Sequence, residues 1–237
     1  MYLFIKRVFD LGTALMALIA LSPLFIPLVI ALRLTGEGEI FYKQERVGYN
    51  RQMFGILKFA TMLKNSPNMG TGDITLRDDP RVTPVGKHLR KTKLNELPQI
   101  INVLKGDLSW VGPRPLMPVS FEMYSDDVQN VVYESRPGIT GLGSLVYRDE
   151  EALVSAATDA GIDPREYYQR AIYPYKGELE LYYRRKRGLW TDLKILIGTA
   201  LSVVLPSVDI ASTLFPDMPG RPTNLDPSRY AETLAAQ

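Results

Sequence analysis

Glu96 follows a run of cations, Lys87, His88, Arg90, Lys91 and Lys93, and this is the first place in the sequence where chemistry could be done. A carboxylate beside dense positive charge at the start of a helix suits the handling of a phosphate or diphosphate group. A capped surface helix with a solvated basic face would carry the same residues. Two further segments add to the set. Val111-Gly112-Pro113-Arg114-Pro115 holds Arg114 between two prolines, and Arg136-Pro137-Gly138-Ile139-Thr140-Gly141 sets Arg136 beside a rigid turn. Proline stiffens the backbone, so each guanidinium is aimed at low entropic cost. Either could also be an ordinary ion-paired loop arginine; with the Lys/Arg run they form a candidate anion-binding set.

The rest of the composition narrows the mechanism. The chain has no cysteine and one histidine, His88, in 237 residues. A disulfide framework, a Cys-ligated zinc, an iron–sulfur cluster and a thiol nucleophile are excluded. So is an HExxH zinc site, and a Ser-His-Asp relay could run only through that one ring. Proton transfer and nucleophilic attack fall to carboxylates, lysine or metal-bound oxygen. With 28 basic and 26 acidic residues the balance gives no sign of a nucleic-acid partner. Neither a Walker A loop nor GxGxxG is present.

The elements that must position these residues read as follows. Leu97, Ile100, Ile101 and Leu104 make one apolar stripe, which predicts a helix starting at Asn95–Glu96, with Pro98 in its first turn and Gly106 as its stop. Asn95 is then a good N-cap. Glu39 to Val47 and Gln52 to Thr61, separated by Gly48-Tyr49-Asn50-Arg51, read as a hairpin, and residues 64 to 80 as a loop.

No charged residue occurs from Leu11 to Leu32, a stretch that as a helix reaches about 33 Å and so meets a membrane. Ser22-Pro23 at its midpoint predicts a kink. Lys6 and Arg7 precede the stretch, and Arg33, Lys43, Arg46 and Arg51 follow it, so both ends look cytoplasmic. A re-entrant helix satisfies both signals. A simple spanning helix and a cleaved signal peptide are the alternatives. Ile195 to Val208, closed by Pro206 and preceded by Arg184, Arg185, Lys186 and Arg187, is too short to span and reads as an interfacial helix near 195–206; a core helix with a solvated charged neck is the alternative. The organisation expected is a membrane helix over 1–35, a cytoplasmic-face domain over 36–206 and an extended tail over 207–237 with little chemistry.

The sequence resembles the bacterial sugar transferase family, the small monotopic phosphoglycosyl transferases that start glycan assembly on a polyprenyl phosphate. The resemblance runs from about Lys6 to Leu201. It is carried by the Ser22-Pro23 opening, Tyr42-Lys43-Gln44-Glu45-Arg46-Val47-Gly48, Lys58-Phe59-Ala60-Thr61-Met62 and Asp79-Pro80-Arg81-Val82-Thr83. The block from Leu89 to Pro115, Arg136 to Gly141 and Trp190-Thr191-Asp192-Leu193-Lys194 complete it. It implies a helix-rich α/β (α+β) globule with a re-entrant helix at the cytoplasmic face of the bacterial inner membrane. It also implies a Mg²⁺-dependent reaction in exopolysaccharide, capsule or O-antigen assembly. In that scheme an Asp of an Asp-Glu pair attacks the β-phosphate of a UDP-sugar, UMP leaves, and polyprenyl phosphate takes the phosphosugar.

The chain departs from the family's pattern at several positions. The Asp-Glu pair falls on Asn95-Glu96, and an amide cannot form the acyl phosphate that a carboxylate can. Ala60 replaces a cation, Glu180 stands where Asp is usual, and Gly143-Ser144-Leu145-Val146-Tyr147-Arg148 replaces Ala-Gln-Val-Asn-Gly-Arg. The resemblance makes Glu96 the main catalytic carboxylate, with Asn95 beside it. Lys58, Arg90, Arg114, Arg136 and Arg148 bind substrate, and Glu180 helps hold Mg²⁺. Three outcomes stay open: phosphosugar transfer through Glu96, transfer of the sugar alone to a lipid-linked acceptor with UDP release, and a non-catalytic membrane scaffold. A homodimer is also left open.

Overall fold

The structure is a computed structural model, and it describes residues 1–69, 74–76, 78–205 and 207–230. It divides into two compact units, one formed by 1–46 with 53–109 and the other by 47–52 with 110–237. The division differs from the expected order of a separate membrane helix, a domain and a tail. The apolar helix belongs to the first unit, because its two ends find packing partners there.

In the first unit α1 (Tyr2–Leu34) is one helix through Pro23 and Pro27. Pro23 has no N–H to give the carbonyl of Ile19, and the Ser22 hydroxyl donates to that carbonyl instead at 2.8 Å. In a hydrocarbon environment such a substitute donor matters, since no water is present to serve. Arg7, near the start of α1, donates to the carbonyls of Val103 and Leu104 at 2.7 and 3.2 Å. Near its end Leu32 is buried with Phe59 and Leu89, and Phe25, Leu28 and Val29 pack on that cluster. Between these ends Leu15, Met16, Ile19, Ile26 and Ile30 are exposed.

The expected hairpin is present as β1 (Phe41–Val47) and β2 (Met53–Phe59), turned by a 3₁₀ segment at Tyr49–Arg51. Its tip, 47–52, counts with the second unit. In α2 (Pro84–Lys91) Thr83 supplies the cap, its hydroxyl accepting from the Gly86 N–H at 3.0 Å. Upstream, buried Arg81 pairs with Asp79 and donates to the carbonyls of Ser66, Met69 and Ile74, which organises the described part of the expected loop. Residues 70–73 and 77 of that loop lie outside the described residues.

The predicted helix at Asn95 begins later. Leu94–Glu96 form a 3₁₀ turn, and α3 runs from Gln99 to Lys105 with Pro98 at its cap. The turn before Pro98 closes with three-residue bonds from Glu96 to Lys93 and from Leu97 to Leu94, the tighter 3₁₀ pattern, so regular α-helix is reached only at Gln99. Asn95 is therefore not the N-cap. Gly106 stops α3 in the left-handed region, φ 94°, as its position predicted. The buried side centres on Ile100 and Val103 and includes polar Gln99 and Asn102, so the apolar stripe gave the face only in part.

The second unit holds β3 (Ser109–Val111) paired with β4 (Gly138–Thr140), and short helices α4 (Pro118–Phe121), α5 (Asp126–Val131) and α6 (Leu142–Val146). Then come α7 (Glu150–Asp159), α8 (Pro164–Tyr167), a π turn at Tyr168–Ile172 and α9 (Tyr173–Lys186). Its core joins Val47, Leu116, Phe121, Tyr124, Val128, Val132, Tyr133 and Tyr173.

The helix expected at the interface, α10, runs from Leu189 to Val204 and starts six residues before the apolar stretch, its first turn closed by Asp192 N–H on the Gly188 carbonyl. Pro206 lies outside the described residues. Along α10 Asp192, Ile195, Gly198 and Ser202 face inward, while Leu189, Trp190, Leu193, Ile197, Leu201 and Val204 are exposed. The expected extended tail is instead docked over its described part, 207–230. It contains α11 (Ile210–Leu214) and buries Ile210, Phe215, Leu225 and Tyr230. The hydroxyls of Tyr167, Tyr175 and Tyr182 donate to the Leu225 and Pro219 carbonyls and to Asp217 at 2.7, 2.8 and 2.6 Å. Its Pro, Asp and Thr content masked a few widely spaced apolar anchors. Residues 231–237 lie outside the described residues.

Candidate active site

In the first unit Lys93 adopts a left-handed conformation, φ 59°, and turns the chain from α2 into the 3₁₀ turn that carries Asn95 and Glu96. Lys58, near the end of β2, places its ammonium 3.9 Å from the Glu96 carboxylate, and each of the two side chains is 18% exposed. A pair at that distance and exposure is held loosely enough to admit a third charged group. Beside Glu96, Asn95 is 6% exposed and its Oδ1 has no hydrogen-bond partner among the described residues. Leaving a buried acceptor unmet costs about 1–3 kcal/mol, so a donor brought by a ligand would be welcome there. Arg90 sits half-buried in the last turn of α2, whose end is bonded to the same turn through Lys93 N–H on the Arg90 carbonyl.

In the second unit the stretches bearing Arg114 and Arg136 pair backbone to backbone. Gly112 N–H donates to the Thr140 carbonyl and Gly138 N–H to the Pro113 carbonyl, both at 2.9 Å. The approach requires glycine: a Cβ on Gly138 would lie 2.1 Å from the Gly112 nitrogen, and one on Gly112 2.3 Å from the Arg136 carbonyl oxygen. The Tyr133 hydroxyl fixes the Arg114 turn from beneath, donating to the Arg114 carbonyl and accepting from the Leu116 N–H at 2.8 and 2.9 Å. The Arg136 guanidinium lies over the Tyr49 ring at 5.2 Å. Arg148 is exposed just beyond α6.

Glu180, on α9, is buried, and its Oε2 has no partner among the described residues. Burial pushes its carboxyl up to about 7, although the Lys176 ammonium and the Arg114 N–H draw it back down. One turn earlier on α9, Lys176 bonds Glu150 at 2.6 Å, with the rings of Tyr147, Tyr173 and Tyr168 at 5.0, 5.5 and 5.8 Å from its nitrogen. Burial raises the Glu150 carboxyl, but the Lys176 cation outweighs that and holds it below the usual carboxylate range.

The sequence-derived residues thus fall into two groups. Lys58, Arg90, Asn95 and Glu96 share the first unit, and Arg114, Arg136, Arg148 and Glu180 the second. Within the first, Lys58 and Glu96 meet; within the second, the Arg114 and Arg136 stretches and Glu180 meet. Sequence reasoning missed Tyr133, Glu150, Lys176 and Asn102, none of which lies in a recognisable local pattern. The Lys176 ammonium stands near Glu180, the carboxylate that the resemblance gives to magnesium. Among the described residues no group of three His, Asp or Glu side chains could hold a metal ion.

A long apolar helix within a unit that holds an ion-paired carboxylate, and glycine-locked turns bearing arginines, suit a membrane-associated protein that handles phosphorylated groups. Residues 1–206 match the bacterial sugar transferase family, and the chain belongs to that family. The chain is 41% identical over 172 residues to the exopolysaccharide production protein ExoY of Sinorhizobium fredii, covering 67% of this chain and 74% of that one. It is 37% identical to the protein of the same name from Rhizobium meliloti, covering 84% and 85%. With the undecaprenyl-phosphate galactose phosphotransferase of Salmonella typhimurium the identity is 36%, over 85% of this chain but only 40% of that protein.

Proposed function

We propose that the protein transfers a sugar 1-phosphate from a UDP-sugar to polyprenyl phosphate, in glycan assembly at the cytoplasmic face of the bacterial inner membrane. The observation that carries this reading is the loose Lys58–Glu96 pair beside the unmet Asn95 Oδ1, in the unit against which both ends of α1 pack. A helix docked at both ends on one globule favours entry and return on the same membrane face over a simple span. The outward apolar side of α10 supports a second contact with lipid.

In the proposed reaction a Glu96 carboxylate oxygen attacks the β-phosphorus of the UDP-sugar and the bond to UMP breaks, with UMP leaving. An oxygen of polyprenyl phosphate then attacks the same phosphorus, the bond to Glu96 breaks, and the carboxylate is regenerated with the phosphosugar on the lipid. Lys58 exchanges its carboxylate partner for phosphate oxygens as Glu96 becomes esterified. Asn95 accepts a hydrogen bond from a substrate hydroxyl. Arg90, Arg114, Arg136 and Arg148 are phosphate-binding candidates, since a planar fork grips two oxygens at once. Glu180 would help hold a magnesium ion bound to the substrate diphosphate, which would offset the phosphate charge.

A second reading, transfer of the sugar alone, is favoured by the amide at Asn95, where a carboxylate nucleophile is usual. The nucleotide product separates the two. Chromatography of a reaction with undecaprenyl phosphate and UDP-hexoses is expected to show UMP, and UDP in its place would overturn phosphosugar transfer.

A further inference from the structure

Asn102 is a heavily bonded buried side chain of the first unit that the proposed reaction leaves unused. It lies on α3 and is 1% exposed. Its amide reads the backbone of β2 as a neighbouring strand would: Leu57 N–H donates to Oδ1 and Nδ2 donates to the Gly55 carbonyl, both at 2.9 Å. The same Nδ2 donates to Asp107 at 3.1 Å, and the Asn102 carbonyl accepts from the N–H groups of Gly106, Asp107 and Leu108. One residue therefore ties the last turn of α3, its exit and the middle of β2.

That tie falls between the two members of the ion pair. Lys58 follows Leu57 directly on β2, and Glu96 lies in the turn that leads into α3. Sliding α3 along β2 by about 1 Å would move Lys58 and Glu96 relative to each other, and misplacements of that size cost about 10²-fold in rate. The next two carbonyls of α3, Val103 and Leu104, receive the two arms of the Arg7 guanidinium from α1, and Val103 also accepts the Gly106 N–H at 3.1 Å. The membrane helix and the clamp on β2 thus grip the same helical turn from two sides.

We propose that Asn102, braced by Arg7, is a positioning residue that sets the register of Lys58 against Glu96 and couples docking of the N-terminal turn of α1 to turnover. The inference rests on the catalytic reading of Glu96. Its consequence is that loosening the Arg7 fork lowers the rate even when the apolar helix stays in the membrane.

The test uses the full chain in vesicles of phosphatidylethanolamine and phosphatidylglycerol, with undecaprenyl phosphate and the UDP-hexose that the unaltered protein turns over. Asn102→Asp keeps the acceptor for Leu57 N–H but removes the donor to Gly55 and Asp107. Arg7→Lys keeps the charge and membrane preference but cannot span two carbonyls. Each is expected to lower kcat per folded molecule at least about tenfold with KM within about twofold, while flotation with vesicles is unchanged. Hydrogen exchange is expected to rise over 55–59 and 99–105 and nowhere else in the first unit. Adding Asp107→Asn to Asn102→Asp restores a donor–acceptor pair at that contact and should recover part of kcat. Unchanged kcat in both single variants, a loss confined to KM, or unchanged exchange over 55–59 overturns the brace. If Glu96→Gln is inactive in the same assay while the brace variants run at full rate, the brace alone fails. If Glu96→Gln is fully active, the catalytic reading fails, and the exchange data judge the brace by themselves.

Discussion

In the first unit Glu96 meets Lys58 at 3.9 Å with each side chain 18% exposed, whereas in the second Glu150, 24% exposed, meets Lys176 at 2.6 Å, and the Lys176 ammonium is buried among three tyrosine rings. The chemistry of the pairs is the same and their use is opposite. A long, half-open pair can trade one partner for a phosphate at little cost. The short pair cannot, because losing Glu150 would leave the buried Lys176 ammonium without its carboxylate. The pair proposed for chemistry is the longer of the two, and the pair with the buried cation is the shorter.

Glu96→Gln puts the contrast to its hardest test. It is expected to lower turnover by at least on the order of 10³-fold while the melting temperature moves by no more than about 2 °C, because a loose pair contributes little to folding. Parallel assays and thermal scans check it, and a large drop in melting temperature would put this pair in the structural class.

Lys176→Met should behave the other way. Removing the ammonium that bonds Glu150 costs about 1–3 kcal/mol, which for a chain of this length lowers the melting temperature by about 5 °C. A variant as stable as the unaltered protein would show that the closed pair is not structural.

A smaller and pH-dependent effect is expected at Glu180. Its carboxyl is pushed up to about 7 from an ordinary value of 4.5 in the folded protein, so between those values the folded state holds a proton that the unfolded state has lost. Stability from this group is complete below about pH 4.5 and falls as pH rises through about 7. Glu180→Gln lacks that loss. Its melting temperature relative to the unaltered protein should climb from pH 5 to pH 7.5, by an amount corresponding to on the order of 3 kcal/mol at most. A difference that stays flat across this range would place Glu180 with the ordinary, ionised carboxylates.

Local signals made part of this legible. Gly106 announced the end of α3, Gly48 to Arg51 the hairpin turn, and the uncharged run from Leu11 to Leu32 the long helix. The start of α3 differs from the expectation because an apolar stripe reports a face and not whether the first turn closes with three- or four-residue bonds. In the candidate site Glu96 and the arginines stood out through charge and stiff flanking residues. Lys176, Glu150 and Tyr133 did not, since their partners lie 17 to 26 residues away in sequence and no periodicity links them. Asn102 stands in no local pattern, and only the backbone of β2 gives it a purpose.

The central claim, that Glu96 carries the phosphosugar, is tested most directly by mass spectrometry of the protein after incubation with a UDP-hexose and no lipid acceptor. The account predicts a phosphohexose adduct on the peptide containing Glu96, discharged when undecaprenyl phosphate is added. An adduct mapped to another residue, or steady UMP release on lipid addition with no adduct ever formed, would contradict it.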